Sequence, residues 1–213
     1  MKVGTDGVLL GLWTAPPAQG AILDVGTGSG LVALMLAQRA PGCRVDAVEL
    51  DGAAASQARA NFDDSPFAGR LAVHQGAIQD FEGGPYRLLV SNPPFFHPGQ
   101  QLACEKRAAA RHFLALPPAD FAKAAQRLLA EDGELALVLP WDEQQRWLAA
   151  LDAFQLRRRC AVSTVEGRAP KRVLLQLSRL AGPLEESALA LRRSDQNWTN
   201  DFLELGRDFY LHF

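Results

Sequence analysis

Asp24-Val25-Gly26-Thr27-Gly28-Ser29-Gly30 follows an apolar run and precedes a helical pattern, so three glycines fall where a strand turns into a helix. Glycines there permit a tight turn and a close approach of backbone to a ligand. The spacing is G-x-G-x-G. A dinucleotide fingerprint would need a glycine where Leu31 stands, and there is neither Walker spacing nor a phosphate-binding lysine. Glu49 closes the next apolar run, 25 residues after Asp24, where a carboxylate can accept both hydroxyls of a ribose. A glycine loop by itself is often a ligand-free turn; with Asp24 before it and Glu49 after the next strand, it points to a nucleoside-type cofactor.

Together Asp24, Gly26, Gly28, Gly30 and Glu49 resemble the S-adenosylmethionine site of class I methyltransferases. In that family the residue matching Asp24 organises the methionine end of the cofactor and the one matching Glu49 binds ribose. A third stretch, Asn92-Pro93-Pro94-Phe95, follows a later strand and so belongs to the same crevice. An exocyclic amino or amide nitrogen is a poor nucleophile because its lone pair is delocalised. If the Asn92 side-chain carbonyl and the Pro93 backbone carbonyl accept its two N–H bonds, the nitrogen is held in line with the cofactor methyl and its developing positive charge is stabilised. Pro93 and Pro94 stiffen the loop, and Pro94 has no N–H to compete for the acceptors. Phe95 offers a flat face for an extruded base or amide. The motif resembles that of amino-methyltransferases acting on adenine, guanine, cytosine or glutamine nitrogen.

These residues need a scaffold, and the hydrophobic pattern supplies one. Strands are expected at 21–25, 44–50, 70–75, 87–91, 133–139, 156–163 and 171–178; helices at about 30–38, 52–62 and 117–129, with another capped by Asp142. Strict alternation implies a parallel sheet covered on both faces, and the last two strands, with no helix between them, should pair antiparallel at one edge. The fold class expected is therefore α/β, a Rossmann-like methyltransferase fold with a mostly parallel seven-stranded sheet. Residues 1–213 read as one domain, with 182–213 a tail packing back through Phe202, Leu205 and Phe209.

Composition sets the class. The 213 residues are 48% hydrophobic and 22% charged, which excludes disorder and small stapled scaffolds. Cys43, Cys104 and Cys160 are widely spaced without a C-x-x-C pair, so neither a disulfide framework nor a metal site is expected. The longest apolar run, Leu31 to Ala37, is too short to span a bilayer, and a cytoplasmic monomer is expected. The net charge of −2 conceals a division: residues 97–180 carry +4 between two segments at −3 each. A regional basic surface of this kind can hold phosphates.

With Gly4-Thr5-Asp6 near the start, Asp208 to Phe213 at the end, Ala110-Arg111-His112 and Ala169 to Val173, nearly the whole chain resembles the bacterial tRNA (adenine-N6)-methyltransferases that modify the adenine beside the anticodon of a valine tRNA. That resemblance implies S-adenosylmethionine as cofactor and tRNA as substrate. It implies cofactor contacts from Gly4, Thr5 and Asp6, which read locally as a turn, and from Leu50, Ala77, Ile78 and Asn92. RNA contacts are expected from Lys106, Arg107, Arg111 and His112 and from Arg168, Lys171 and Arg172. The chain departs from the family pattern twice. It starts almost at the stretch matching Lys2 to Thr5, ahead of which the family carries further residues. Where the family often places an acidic residue for the cofactor adenine it has Ala77, with Asp80 nearby. The rival readings are a ribosomal RNA guanine-N2 methyltransferase, a protein glutamine methyltransferase and a noncatalytic RNA-binding module of the same fold.

Overall fold

The computed structural model describes residues 4–94 and 116–210. Eight strands form one sheet in the order β3-β2-β1-β4-β5-β7-β6-β8. They are β1 (Gly20–Val25), β2 (Cys43–Glu49), β3 (Leu71–Gln75), β4 (Tyr86–Ser91), β5 (Leu129–Pro140), β6 (Gln155–Val165), β7 (Arg172–Ser178) and β8 (Glu185–Arg192). Neighbours pair in parallel except β7, which runs against both β5 and β6. The β6–β7 connection is short and helix-free, which permits only an antiparallel pair.

The β6–β7 pair is antiparallel, as expected, but β8 adds to the far side of β6, so the reversed strand β7 lies two places in from the edge. This eighth strand lies in the segment read as a tail. Its apolar signal is confined to Leu189 and Leu191, which are buried, whereas Glu185 to Ala188 are exposed. Alanines and serine in place of β-branched residues give little local strand preference, so pairing with β6 decides its conformation.

Helices cover both faces. On one, α1 (Thr5–Trp13), α2 (Leu31–Arg39) and, after β8, α6 (Asn200–Gly206) bury Leu9, Leu10, Leu36 and Phe202 against the sheet, joined by Phe62 of α3 (Gly52–Asp63). On the other, α4 (Pro118–Leu128) and α5 (Gln144–Ala150) bury Phe121, Leu128 and Trp147, with Leu151 just beyond. Helix α1 replaces the turn expected at Gly4-Thr5-Asp6. Its four buried apolar side chains, Leu9, Leu10, Leu12 and Trp13, make tertiary burial rather than local sequence the reason it forms. Asp142 does not cap α5; it sits in a 3-10 turn, Trp141–Glu143, ahead of that helix.

Two arginines close the carbonyl ends of the helices that position the cavity. Arg39 donates to Gly11 O and Thr14 O, both at 2.7 Å, where α1 ends. Arg70 donates to Ala37 O and Ala40 O, where α2 ends, and to Cys43 O, where β2 begins. Each satisfies carbonyls that have no intrahelical partner and places a cation at the negative end of the helix dipole.

Candidate active site

The strand order reverses between β1 and β4, and ligands of open α/β sheets bind at the carboxyl ends of strands beside such a reversal. A cavity of about 830 Å³ opens there, within the ~300–1,000 Å³ usual for small-molecule sites. It gathers the end of β1, the glycine loop, the end of β2, the turn after β3, the end of β4 and the start of α1.

Hydrogen bonds fix each wall. Val48 O accepts from Gly26 N–H at 2.8 Å and Thr27 N–H at 3.2 Å, folding the loop back across β2. Gly26 has φ +71° and a Cβ there would meet nothing within 4 Å, so the backbone is bare where the cavity begins. Glu49 Oε2 accepts from Gly28 N–H at 2.8 Å and Oε1 from Asp51 N–H at 2.9 Å. Both carboxylate oxygens are thereby oriented and each keeps a lone pair for a ribose hydroxyl. Ser91 Oγ donates to Val25 O at 2.8 Å, tying the end of β4 to the end of β1 and placing Asn92 opposite the glycine loop.

Asp24 is 2% exposed. Its Oδ2 accepts from Thr27 Oγ1 at 2.6 Å and from Ala33 N–H at 3.2 Å, so Oδ1 is the oxygen left for a ligand. Burial pushes this carboxyl up to about 7; the two hydrogen bonds hold it down in part, and the charge of Glu49 adds to the rise. A cationic ligand group at Oδ1 would favour the ionised form.

Of the expected cofactor residues, Gly4, Asp24, Gly26, Gly28, Glu49, Leu50, Ala77, Ile78 and Asn92 line the cavity, and so do Pro93 and Pro94. Asp80 lines it as well as Ala77, and Leu50 is an exposed apolar side chain at its wall, 43% accessible. Thr5, Asp6 and Gly30 are not in the lining. Gly30 instead caps α2 with φ +85°, and a Cβ there would stand 2.5 Å from the Phe62 ring. Gly30→Ala is therefore expected to destabilise the fold by about 1–2 kcal/mol, measurable by urea unfolding, through the left-handed backbone and the displaced ring. Asp6 pairs with Arg172 at 2.9 Å. Phe95, Lys106, Arg107, Arg111 and His112 lie outside the described residues.

Sequence reasoning missed Gly7, Asp51 and Ser91. Gly7 lines the cavity, and a Cβ there would come within 3.9 Å of Asn92 Nδ2, so this glycine stands beside the asparagine. Ser91 could have been suspected from its place at a strand end. Gly7 could not, because α1 was not foreseen as a helix.

The donor set suits S-adenosylmethionine: the two oxygens of the Glu49 carboxylate for ribose, a buried carboxyl for a cationic end, a bare glycine loop between them, and an apolar wall at Leu50 and Ile78 for a flat base. When bound, that cofactor supplies an electrophilic methyl group. Among the described residues no group of three or more His, Cys, Asp or Glu could hold a metal ion, and no helix is long and apolar enough to cross a membrane.

Comparison with known proteins agrees with this geometry. Residues 3–155 match the model of the methyltransferase small domain. The tRNA1(Val) (adenine(37)-N6)-methyltransferase of Aeromonas hydrophila is 44% identical over 99% of this chain and 91% of its own length; that of Tolumonas auensis is 46% identical over 99% and 90%. Among solved structures, a predicted O-methyltransferase from Agrobacterium tumefaciens superposes with a TM-score of 0.72 at 17% identity, covering 95% of both chains, which shows the fold alone. With a match to the family model over most of its length and full-length relatives well above 30% identity, the chain belongs to the methyltransferase small-domain family, and within it to the tRNA1(Val) (adenine(37)-N6)-methyltransferases.

Proposed function

We propose that this chain transfers a methyl group from S-adenosylmethionine to N6 of adenine 37 in tRNA1(Val). The observation that carries the reading is the convergence of Asn92 and Pro93 with Asp24 and Glu49 on one cavity. Asn92 Oδ1 and Pro93 O accept the two amino protons of the adenine and fix the direction of its nitrogen lone pair. The Ser91–Val25 bond holds the strand end that carries Asn92, beside Gly7. Binding energy is thus placed where positive charge develops on the nitrogen, so transfer needs no strong base beforehand. Phe95 is the proposed stacking face for the extruded base.

Glu49 holds the ribose, Asp24 the methionine end, Leu50, Ala77 and Ile78 the adenine of the cofactor, with Gly4, Gly26 and Gly28 shaping the wall. Thr5 and Asp6 act at one remove, as part of α1. Arg168 and Lys171, both exposed in the loop joining β6 to β7 at the cavity's edge of the sheet, are proposed phosphate contacts, together with Lys106, Arg107, Arg111 and His112. Removing Arg168 and Lys171 together is expected to weaken tRNA binding and to flatten its dependence on salt by roughly one unit of slope per lost contact, measured by filter binding across a salt series. An unchanged slope would take both off the interface.

We also propose that the chain works as a single-domain cytoplasmic monomer; the free, buried thiols of Cys43 and Cys160 suit a reducing compartment. The site assignment is tested with transcripts of tRNA1(Val) carrying A or G at position 37. Methylation of the A37 transcript and none of the G37 transcript supports the reading; equal labelling of both overturns it.

A further inference from the structure

Arg172 and Asp6 are 166 positions apart in the chain and joined in the fold. Arg172 opens β7 and is in register with Pro140 of β5 and Val162 of β6, so its backbone is held from both sides. Its Nε donates to Asp6 Oδ2 at 2.9 Å and its Nη1 to Lys171 O at 3.0 Å. Asp6 stands in the first turn of α1, next to Gly7 and two residues from Gly4, and both glycines line the cavity. No side chain caps this end of α1 at Gly4. A carboxylate in the first turn favours the helix through its dipole, but that favour says nothing about where the turn sits. The fixed position comes from Arg172, whose strand is paired on both sides.

We propose that Arg172 is a positioning residue for the cofactor: acting through Asp6, it sets the first turn of α1 against the cavity and so holds the Gly4–Gly7 wall, instead of serving as a tRNA phosphate ligand. The guanidinium already has a carboxylate partner that offsets its charge, which makes it a weaker phosphate ligand than the exposed Arg168 and Lys171. The proposal rests on the reading of the cavity as a cofactor site. It gives the two charges a common purpose that neither the glycine loop nor the Asn-Pro-Pro motif reveals.

The test is S-adenosylmethionine binding by titration calorimetry without RNA, alongside tRNA binding across a salt series. The pair is partly exposed, with 36% and 28% of the side chains accessible. Arg172→Ala and Asp6→Ala should therefore each raise the cofactor Kd only about two- to five-fold, the range of such pairs. The double variant should be no worse than either single one, because both remove the same contact. The exchange Asp6→Arg with Arg172→Asp should recover part of the loss, the remainder reflecting a cation in the first turn of α1. tRNA affinity and its salt slope should stay at the wild-type values in Arg172→Ala. Wild-type cofactor affinity in both single variants would overturn the proposal, as would a flattened salt slope in Arg172→Ala, which would make the arginine a phosphate ligand. Wild-type protein that fails to bind the cofactor would instead overturn the cofactor reading, and the proposal with it.

Discussion

Replacing Asn92 by Ala is expected to leave S-adenosylmethionine affinity within about two-fold of wild type and to lower single-turnover methyl transfer by at least ~100-fold. The side chain lines the cavity beside Gly7 and is carried by a strand end pinned through Ser91. In the proposed role its loss removes one of two acceptors for the reacting amine, an interaction that matters most as charge develops there. Asn92→Asp keeps an acceptor and adds a charge, so it should retain more activity than Asn92→Ala. A near-normal turnover for Asn92→Ala would remove the residue from the chemistry.

The second large effect is a trade between stability and binding at Asp24. Its carboxyl, raised from 3.8 to about 7 by burial, is neutral in the free protein at acid pH and ionised only above neutrality. Because the folded value exceeds the unfolded one, the stabilising contribution of the neutral form is complete below about pH 4 and is lost as pH rises through 7. Asp24→Asn keeps an oxygen for Thr27 and Ala33 without the buried charge. It should equal wild type in stability near pH 4 and exceed it at pH 8, with the distance from 3.8 to about 7 capping the gain near ~4 kcal/mol. The same variant should bind the cofactor about 10- to 100-fold more weakly, the scale of a lost hydrogen bond to a charged group. Wild-type affinity should climb with pH up to about 7 and then level off, whereas the variant's should lack that rise. Urea unfolding and calorimetry at pH 4, 6 and 8 measure both. A variant less stable than wild type at pH 8 would contradict the burial argument.

The residues legible in the sequence are those whose chemistry restricts their type. A bare loop demands glycine, a ribose demands a carboxylate at a strand end, and an amine demands paired acceptors on a stiff turn. Gly26, Gly28, Glu49 and Asn92 therefore stood out, and each lines the cavity. Gly30 stood out for the same reason and does something else: it turns the chain into α2 and makes room for Phe62. Spacing alone cannot separate a glycine that admits a ligand from one that admits a neighbouring ring.

What escaped was decided at long range. The first turn of α1 looks like a loop because Gly4 and Gly7 have poor helix preference, and only burial of Leu9, Leu10, Leu12 and Trp13 makes it a helix. Strand β8 has weak local signal and exists because β6 offers an edge. The Asp6–Arg172 pair joins the first helix to the seventh strand, a contact with no local signature. Each charge alone invited a separate assignment, one to cofactor and one to RNA.

The most direct test of the central claim is transfer of a labelled methyl from S-adenosylmethionine to unmodified tRNA1(Val), with ribosomal RNA and total protein in parallel, followed by nucleoside digestion and mass analysis. The expected result is N6-methyladenosine from the tRNA alone, mapping to adenine 37. Label in N2-methylguanosine from ribosomal RNA or in methylated glutamine, with none in the tRNA, would contradict it.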